Sequence, residues 1–208
     1  MKRRSGLFAL VVLLVLVFVG AGPTPATAAS TGTIKGEVTN LTGKWLNETV
    51  VYVVHAPGAF TQKAYVMKDQ NHQFEPHVLA ISFGDTVEYI NKEHVQHNVY
   101  SPDHETYNLG VWDYGQMRTY HFDKHVGAYR QKCWVHPSMN AWVFVNQNPF
   151  EAVVHSDGTY TIRGVPPGHY QLAVWNSHYT AKTQDIAVNA GKVTKVDFNL
   201  VRPEHPKS

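Results

Sequence analysis

Short runs of strand-forming residues alternate with turn residues through most of this 208-residue chain, and this pattern restricts the folds open to it. The runs are rich in Val, Ile, Thr and Tyr; examples are Thr49 to Val54, Thr86 to Ile90 and Tyr170 to Val174. Because β-branched and aromatic residues suit a pleated surface, each run predicts a strand. No stretch beyond the apolar run near the N-terminus keeps a helical period. The sequence therefore predicts an all-β protein, with β-sandwiches as the default architecture.

The N-terminus has the composition of an export signal. Three basic residues at positions 2–4 precede an apolar run from Leu7 to Val19, and small residues follow up to Ala29. This order predicts a signal peptide over residues 1–29, cleaved after Ala28 or Ala29. The alternative is an uncleaved anchor, but the run is short of the about 20 residues that span a bilayer. We therefore expect a periplasmic or otherwise exported bacterial protein with no stable membrane insertion after cleavage.

The net charge limits the kind of partner, and the length limits the number of domains. Without the three N-terminal basic residues, 15 basic residues remain against 16 acidic ones, so the mature chain is close to neutral. No basic cluster with interleaved aromatic residues is present, and nucleic acid is not expected as a partner. The remaining length of about 180 residues allows one large domain or two small ones.

Cys133 is the only cysteine of the chain, and its neighbours indicate a use for it. A single cysteine cannot form an internal disulfide even in an oxidising compartment, and it is often a small buried hydrophobe. Here His136 and Met139 follow with the spacing C-x2-H-x2-M, which suits a loop between two strands. A thiolate, two imidazoles and a weak thioether are the donors of a blue-copper site. His97, on a separate predicted strand, would supply the second imidazole.

Residues 60 to 147 resemble the cupredoxins. Phe74-Glu75-Pro76 and Gly84-Asp85-Thr86-Val87 are similar to the family's F-x-P and G-D-x-V motifs, and His97-Asn98-Val99 to its first-ligand strand. The segment from Cys133 to Met139, followed by a strand from Ala141 to Val145, is similar to its ligand loop and last strand. The loop length resembles that of the amicyanins. The F-x-P-H-V-L and C-x-x-H-P-x-M motifs resemble a bacterial methylamine-utilisation-protein-like, or plastocyanin-like, group.

This resemblance implies a Greek-key β-sandwich over residues 58–147 that holds one mononuclear copper ion, alternating between Cu(I) and Cu(II). The implied ligands are His97, Cys133, His136 and, as a weak axial donor, Met139. The resemblance also implies that the backbone N–H of Asn98 donates to the Cys133 sulfur, an outer contact that tunes the reduction potential.

The roles of two residues near the predicted site are left open by the sequence. His77 follows the F-x-P motif and is either a strand histidine held by a hydrogen bond, or a second-shell partner or additional ligand of copper. Gln131 falls on the same strand face as Tyr129 and Cys133, where an apolar residue is usual. Burying an amide without partners costs roughly 1 to 3 kcal/mol. Gln131 should therefore have a hydrogen-bond partner, and His77 is one candidate.

A second pattern lies on both sides of the first. Asp-Gly and Pro-Gly turns separate alternating strands in Ser156 to Ile162 and Val165 to Leu172. These segments resemble the carboxypeptidase-regulatory or transthyretin-like sandwich, which ends in a strand like Val193 to Leu200. The opening motif of that family, G-x-I-x-G-x-V, occurs as Gly32 to Val38, and a strand from Thr49 to His55 follows.

The positions of these motifs predict a discontinuous second domain. It would comprise residues 30–57 and 148–201, with the copper domain of residues 58–147 inserted between them and a C-terminal tail of residues 202–208. Such an insertion is tolerated when the ends of the inserted domain lie close together. In the alternative, residues 32–55 form extra strands of the cupredoxin itself.

Three hypotheses of function follow. The first is a periplasmic type 1 (blue) copper protein that carries single electrons and is not an enzyme, with a c-type cytochrome or a periplasmic dehydrogenase as redox partner. The second is copper delivery or storage, for which four methionines and one cysteine are few. The third is a catalytic role at a modified, red-type copper site, against which the retained Met139 argues.

The resemblance also indicates where a redox partner docks. In cupredoxins the later histidine ligand reaches the surface within an apolar patch, and here that histidine is His136. Trp134, Val135 and Pro137 are the candidates for the patch, with Trp142 a weaker one because strand alternation turns only one set of side chains inward. The transthyretin-like part shows no catalytic constellation and is expected to support docking or orientation.

Overall fold

The computed structural model describes residues 30–41 and 44–201, so the predicted signal peptide and C-terminal tail lie outside the described residues. Within these ranges the chain forms 17 strands and one short helix, and no helix there is long and apolar enough to cross a membrane. The elements are β1 (Gly32–Thr39), α1 (Lys44–Asn47), β2 (Thr49–Val53), β3 (Ala64–Gln70), β4 (Gln73–Glu75), β5 (Val78–Ser82), β6 (Thr86–Asn91), β7 (His97–Ser101), β8 (Tyr107–Trp112), β9 (Met117–His121), β10 (Gly127–Lys132), β11 (Asn140–Asn146), β12 (Glu151–Val153), β13 (Thr159–Val165), β14 (Gly168–Asn176), β15 (Lys182–Val188), β16 (Val193–Lys195) and β17 (Phe198–Asn199). The predicted all-β class is confirmed.

Strands β3 to β11 form a first sandwich, called here the copper sandwich after the metal site that the sequence predicts in it. One sheet has the strand order β5-β11-β10-β7-β8 and the other β4-β3-β6-β9. Most neighbouring strands are antiparallel, but β3 with β6 and β5 with β11 are parallel. Because successive side chains of a strand point to opposite faces, alternate residues enter the space between the sheets. Met67, Phe74, Tyr89 and Val143 are among the residues buried there.

The remaining strands form a second sandwich. One sheet has the order β13-β1-β16, with β17 also paired to β1, and the other has the order β12-β2-β14-β15. Its core includes Ile34, Val51, Tyr160, Leu172 and Phe198. In the described ranges, β1 and β2 pair with strands from the C-terminal part of the chain and with none of the copper sandwich. The residue numbers of the domain boundaries stay a prediction.

One predicted strand has a different form. The run from Val193 to Leu200 is divided into β16 and β17, which both pair with β1 in parallel. The break falls at Asp197, whose side-chain Oδ1 accepts a hydrogen bond from the backbone N–H of Glu37 at 2.9 Å. A side-chain acceptor there replaces the backbone carbonyl that a continuous strand would supply.

The two sandwiches pack against each other through an apolar contact. Val50 from β2 is buried against Val78 and Phe144 from the copper sandwich. The ring of Trp175 on β14 lies 5.3 Å, centroid to centroid, from the rings of both Trp142 and Phe144. The second sandwich therefore covers the outer face of β5 and β11, in the same sheet that carries β7 and β10.

Two buried asparagines hold together the points where the chain leaves and re-enters the second sandwich. The Nδ2 atoms of Asn146 and Asn148 donate to the carbonyl oxygen of Val53, at 3.2 and 2.8 Å. The Asn148 Oδ1 in turn accepts a hydrogen bond from the backbone N–H of Phe150 at 3.1 Å. Val53 ends β2, so these bonds join the end of β2 to the segment that leads into β12.

We expect Asn148→Ala to lower the free energy of unfolding by about 1 to 3 kcal/mol, because it leaves the buried N–H of Phe150 without its acceptor. Urea titration monitored by tryptophan fluorescence measures the change. Asn189→Ala, at an exposed position, is the matched control and should stay within about 0.5 kcal/mol of the unmodified protein. Equal losses in the two variants would contradict the role of Asn148.

A carboxyl group is buried inside the copper sandwich. Asp69 on β3 is 0% exposed, and no hydrogen-bond partner is found among the described residues for either of its carboxylate oxygens. Burial raises the pKa of Asp69 to about 8, and the nearby Glu93 carboxylate adds to the rise. Asp69 is therefore largely protonated in the folded protein near neutral pH, since an isolated charge is costly in the interior.

Asp69 should contribute a loss of stability of the metal-free protein as the pH rises from about 4 to about 8. In this window the unfolded chain has lost the Asp69 proton while the folded protein keeps it, so the slope is negative and at most about 1.4 kcal/mol per pH unit. Asp69→Asn should remove this contribution. The slope that remains comes from other groups, which act in both directions: burial raises the pKa of Glu151 to about 7, while the lowered pKa of His97 adds stability as the pH rises. The difference between the two curves therefore isolates Asp69. Urea titrations across the window test this, and parallel curves for the two proteins would refute it.

Candidate metal centre

Three side chains with metal-binding atoms meet at one end of the copper sandwich. His97 begins β7, Cys133 follows β10, and His136 lies in the loop between β10 and β11. One ligand atom from each lies within 4.8 Å of the other two. His97 and Cys133 are buried and His136 is partly buried. The sequence-predicted residues His97, Cys133 and His136 are therefore brought together.

The strand arrangement explains this meeting. β7 and β10 are neighbours in one sheet, with Lys132 opposite Tyr100, so the end of β10 reaches the beginning of β7. The loop after Cys133 then turns back, and the backbone N–H of Met139 donates to the carbonyl of His136 at 2.9 Å. A short loop between antiparallel strands can thus aim several side chains at one point.

Asn98 ties the loop to the strand that carries His97. Its backbone N–H donates to the Cys133 Sγ at 3.4 Å, and its Oδ1 accepts a hydrogen bond from the backbone N–H of Trp134 at 3.3 Å. The Asn98 Nδ2 donates to Asn108 Oδ1 and to the Gly110 carbonyl, at 2.8 and 2.7 Å. Asn98 is thereby fixed on both sides, and so is the sulfur it contacts.

The spacing of the donor atoms suits one small ion. The Nδ1 atoms of His97 and His136 are 3.2 Å apart. Two imidazole nitrogens that each lie about 2.0 Å from a common metal ion are separated by a distance of this order. Two nitrogens and a thiolate form the trigonal donor set of blue-copper sites, so the residues present fit copper.

Met139, the predicted fourth donor, lies directly before β11. Its side chain is buried in the same apolar cluster as that of Cys133. A buried thioether next to the ligand loop has the chemistry of a weak axial donor. Its role as a ligand stays a prediction.

Glu93 holds the far side of the His97 ring. Its Oε2 lies 3.0 Å from His97 Nε2, which leaves Nδ1 free to face His136 and Cys133. Burial and the neighbouring His136 lower the pKa of His97, while the Glu93 carboxylate opposes the shift. His97 is therefore neutral near pH 7, the form that binds a metal. A carboxylate behind a ligating histidine fixes its tautomer and orientation.

The charge of Glu93 is also supported locally. Burial by itself would raise the pKa of Glu93, but the hydrogen bond from the backbone N–H of His72 and the nearby His72 and His97 rings outweigh it, so the pKa is lowered. Glu93 is thus ionised across the neutral range and remains an acceptor for His97.

His72 stands beside the site in a strained turn. Asn71 and His72, between β3 and β4, have φ values of 56° and 54°. In such a two-residue hairpin the second position is usually glycine. The His72 ring lies 4.7 Å from the His136 ring, centroid to centroid and nearly perpendicular to it. Sequence reasoning missed Glu93 and His72; the position of Glu93 four residues before His97 was the one available signal.

The two residues that had alternatives each have hydrogen-bond partners of their own. His77 Nε2 is 2.8 Å from Glu48 Oε1, and Glu48 belongs to the second sandwich. Gln131 has partners, as predicted, but they do not include His77. The hydroxyls of Tyr89 and Tyr107 donate to Gln131 Oε1 at 2.8 and 2.6 Å, and its Nε2 donates to the backbone carbonyl of Tyr129.

Comparisons with known proteins found two similarities, each to a part of the chain. Residues 137–201 match the model of the carboxypeptidase regulatory-like domain family, which confirms that resemblance. The match begins before β11, a strand of the copper sandwich. No curated protein matches the chain.

Solved structures of amicyanin also match. They include a reduced Trp-to-Tyr mutant at 29% identity, the reduced Cu(I) form at pH 4 of a Pro-to-Gly mutant at 28%, and an oxidised Met-to-Lys mutant at 26%. Each alignment covers 40% of this chain and 82% of the amicyanin chain, with a TM-score of 0.38.

Glu93→Gln should weaken copper binding by about 10- to 100-fold, the usual cost of losing an outer-shell carboxylate. The variant keeps the size of the side chain but removes the charge that fixes the His97 ring. Competition titration with a chelator of known affinity measures the change. Glu88→Gln, on the neighbouring strand β6, is the control with the same change of charge. Wild-type affinity in Glu93→Gln would show that His97 is oriented without Glu93.

Proposed function

We propose that this protein is a periplasmic type 1 (blue) copper protein that carries single electrons between redox partners. The observation that supports the proposal is the convergence of the Cys133 thiol with the His97 and His136 imidazoles at one buried point. Met139, on the same loop, would complete the donor set. When bound, copper supplies a one-electron exchange between Cu(I) and Cu(II).

The surroundings of these residues suit rapid electron exchange. Soft sulfur donors favour Cu(I) and nitrogen donors favour Cu(II), so a rigid mixed set keeps the rearrangement between the two states small. Here the rigidity has identifiable sources. Glu93 holds His97, and Asn98 holds both the Cys133 sulfur and the backbone of Trp134.

The surface next to the site suits a protein partner. Trp134 is 62% exposed, and Val135 and Pro137 are also exposed. Together with His136 they form an apolar area beside the ligand loop. A c-type cytochrome or a periplasmic dehydrogenase is the kind of partner we propose, with export through the N-terminal signal.

Burial argues for electron transfer over copper delivery. The side chains of His97, Cys133 and Met139 are almost wholly enclosed. A carrier that hands metal to an acceptor needs ligands that the acceptor can reach and replace. Enclosed ligands instead suit a site in which electrons move and the ion stays.

The copper-loaded protein should show an intense visible absorption band from the Cys133 thiolate to Cu(II), which disappears on reduction and returns on oxidation. Cys133→Ser should lose the band, because a hydroxyl does not replace the thiolate as a soft donor. Met139→Gln should keep a coloured site with an altered paramagnetic resonance spectrum. A colourless Cu(II) protein, or one that cannot be cycled between oxidation states, would refute the proposed function.

A further inference from the structure

A basic and aromatic stripe runs from the ligand loop towards the second sandwich. Trp134, the residue after Cys133, has its ring 5.0 Å from the ring of Tyr100, centroid to centroid. Tyr100 pairs with Lys132 across β7 and β10. Two residues earlier on the same face of β10, the Arg130 guanidinium lies 4.9 Å above the Trp142 ring. These residues (Trp134, Tyr100, Lys132, Arg130, Trp142) are called the stripe below.

The stripe ends in a cleft between the two sandwiches. The cleft has a volume of about 300 Å³ and is lined by Arg130, Lys132 and Trp142 on one side and by Trp45 and His178 of the second sandwich on the other. It continues the apolar contact between the sandwiches, where Trp142 packs on Trp175. The second sandwich thus covers one part of the outer face of this sheet, and the stripe is the part that remains uncovered.

The charged groups of the cleft that can contact a partner are positive. Glu48 is the carboxylate among the described residues that line it, and its oxygens are engaged by His77 at 2.8 Å and by the Ser177 hydroxyl. The Arg130 guanidinium contacts the Trp142 ring, and Arg130 is exposed. Complementary charge favours an acidic partner and raises its rate of association.

The ligand loop offers one approach to the site. At the end of the sandwich, the His72 ring lies against His136, with its own side chain 55% exposed. A partner that docks there contacts the His72 ring as well as His136. The stripe offers a second path, because Trp134 is covalently linked to Cys133 and its ring is at the surface.

We infer that the cleft and the stripe are the docking site for an acidic electron-transfer protein, and that Trp134 and Tyr100 connect this partner to Cys133. The inference rests on the proposed function. Copper held by His97, Cys133 and His136 would supply one electron, which would pass through Cys133 to the partner's redox centre, so that the partner is reduced by one unit and the copper oxidised by one unit. No bond is formed or broken and no proton is required.

The test measures oxidation of the reduced, copper-loaded mature protein in a stopped-flow instrument, through growth of the visible band. The probes are hexacyanoferrate(III), an anionic oxidant, and tris(phenanthroline)cobalt(III), a cationic one. Lys132→Glu combined with Arg130→Glu should lower the rate with the anionic probe by about tenfold or more and raise the rate with the cationic probe. Lys35→Glu combined with Lys195→Glu, on the other sheet of the second sandwich, gives the same change of net charge and should have a much smaller effect.

A second variant tests the aromatic connection. Trp134→Ala should lower the rates with both probes several-fold while the absorption band and the reduction potential stay as in the unmodified protein, and Trp134→Phe should restore part of the rate. Unchanged rates in Trp134→Ala and in the charge reversal, with an intact band, would overturn the inference and leave the electron carrier in place. A protein without the band, or without redox cycling, would overturn the proposed function itself.

Discussion

The neighbouring position of β7 and β10 in one sheet is the constraint on which the site depends. His97 stands at the start of one strand and Cys133 just beyond the end of the other, so antiparallel pairing brings them to the same end. Asn98 then joins the strand to the loop by a buried hydrogen bond to the sulfur. In a low-dielectric interior such bonds are stronger than in water. The donor atoms are therefore held close together by the polypeptide itself.

A polar network inside the sandwich keeps β10 in place. Gln131, two residues before Cys133, accepts hydrogen bonds from the hydroxyls of Tyr89 and Tyr107. Burial raises the pKa of both phenols, so they remain protonated donors. A buried network in which every polar group has a partner specifies one arrangement of its strands. An apolar residue at position 131 would be compatible with several packing arrangements. The departure from an apolar residue at this position thus has a structural reason.

The strands and the ligand spacing could be predicted from sequence because they depend on local patterns. Alternation places β6 and β14 correctly, and C-x2-H-x2-M marks a loop that carries several donors. Glu93 and His72 could not be predicted in the same way. His72 reaches the site through a strained turn at a position where glycine is usual, and the Glu48 partner of His77 comes from the other sandwich. Such contacts depend on packing between distant segments, which no single-segment pattern contains.

The second sandwich limits the freedom of the copper sandwich in two ways. Asn146 and Asn148 bind the carbonyl of Val53, so the chain leaves and returns at one junction. Trp175 packs against Trp142 and Phe144 a short distance away, which adds an apolar contact to the covalent links. Two connections at one point and a packed aromatic contact beside it oppose rotation of one sandwich against the other. The cleft is therefore already open before a partner binds. Association then avoids the free-energy cost of ordering two mobile domains.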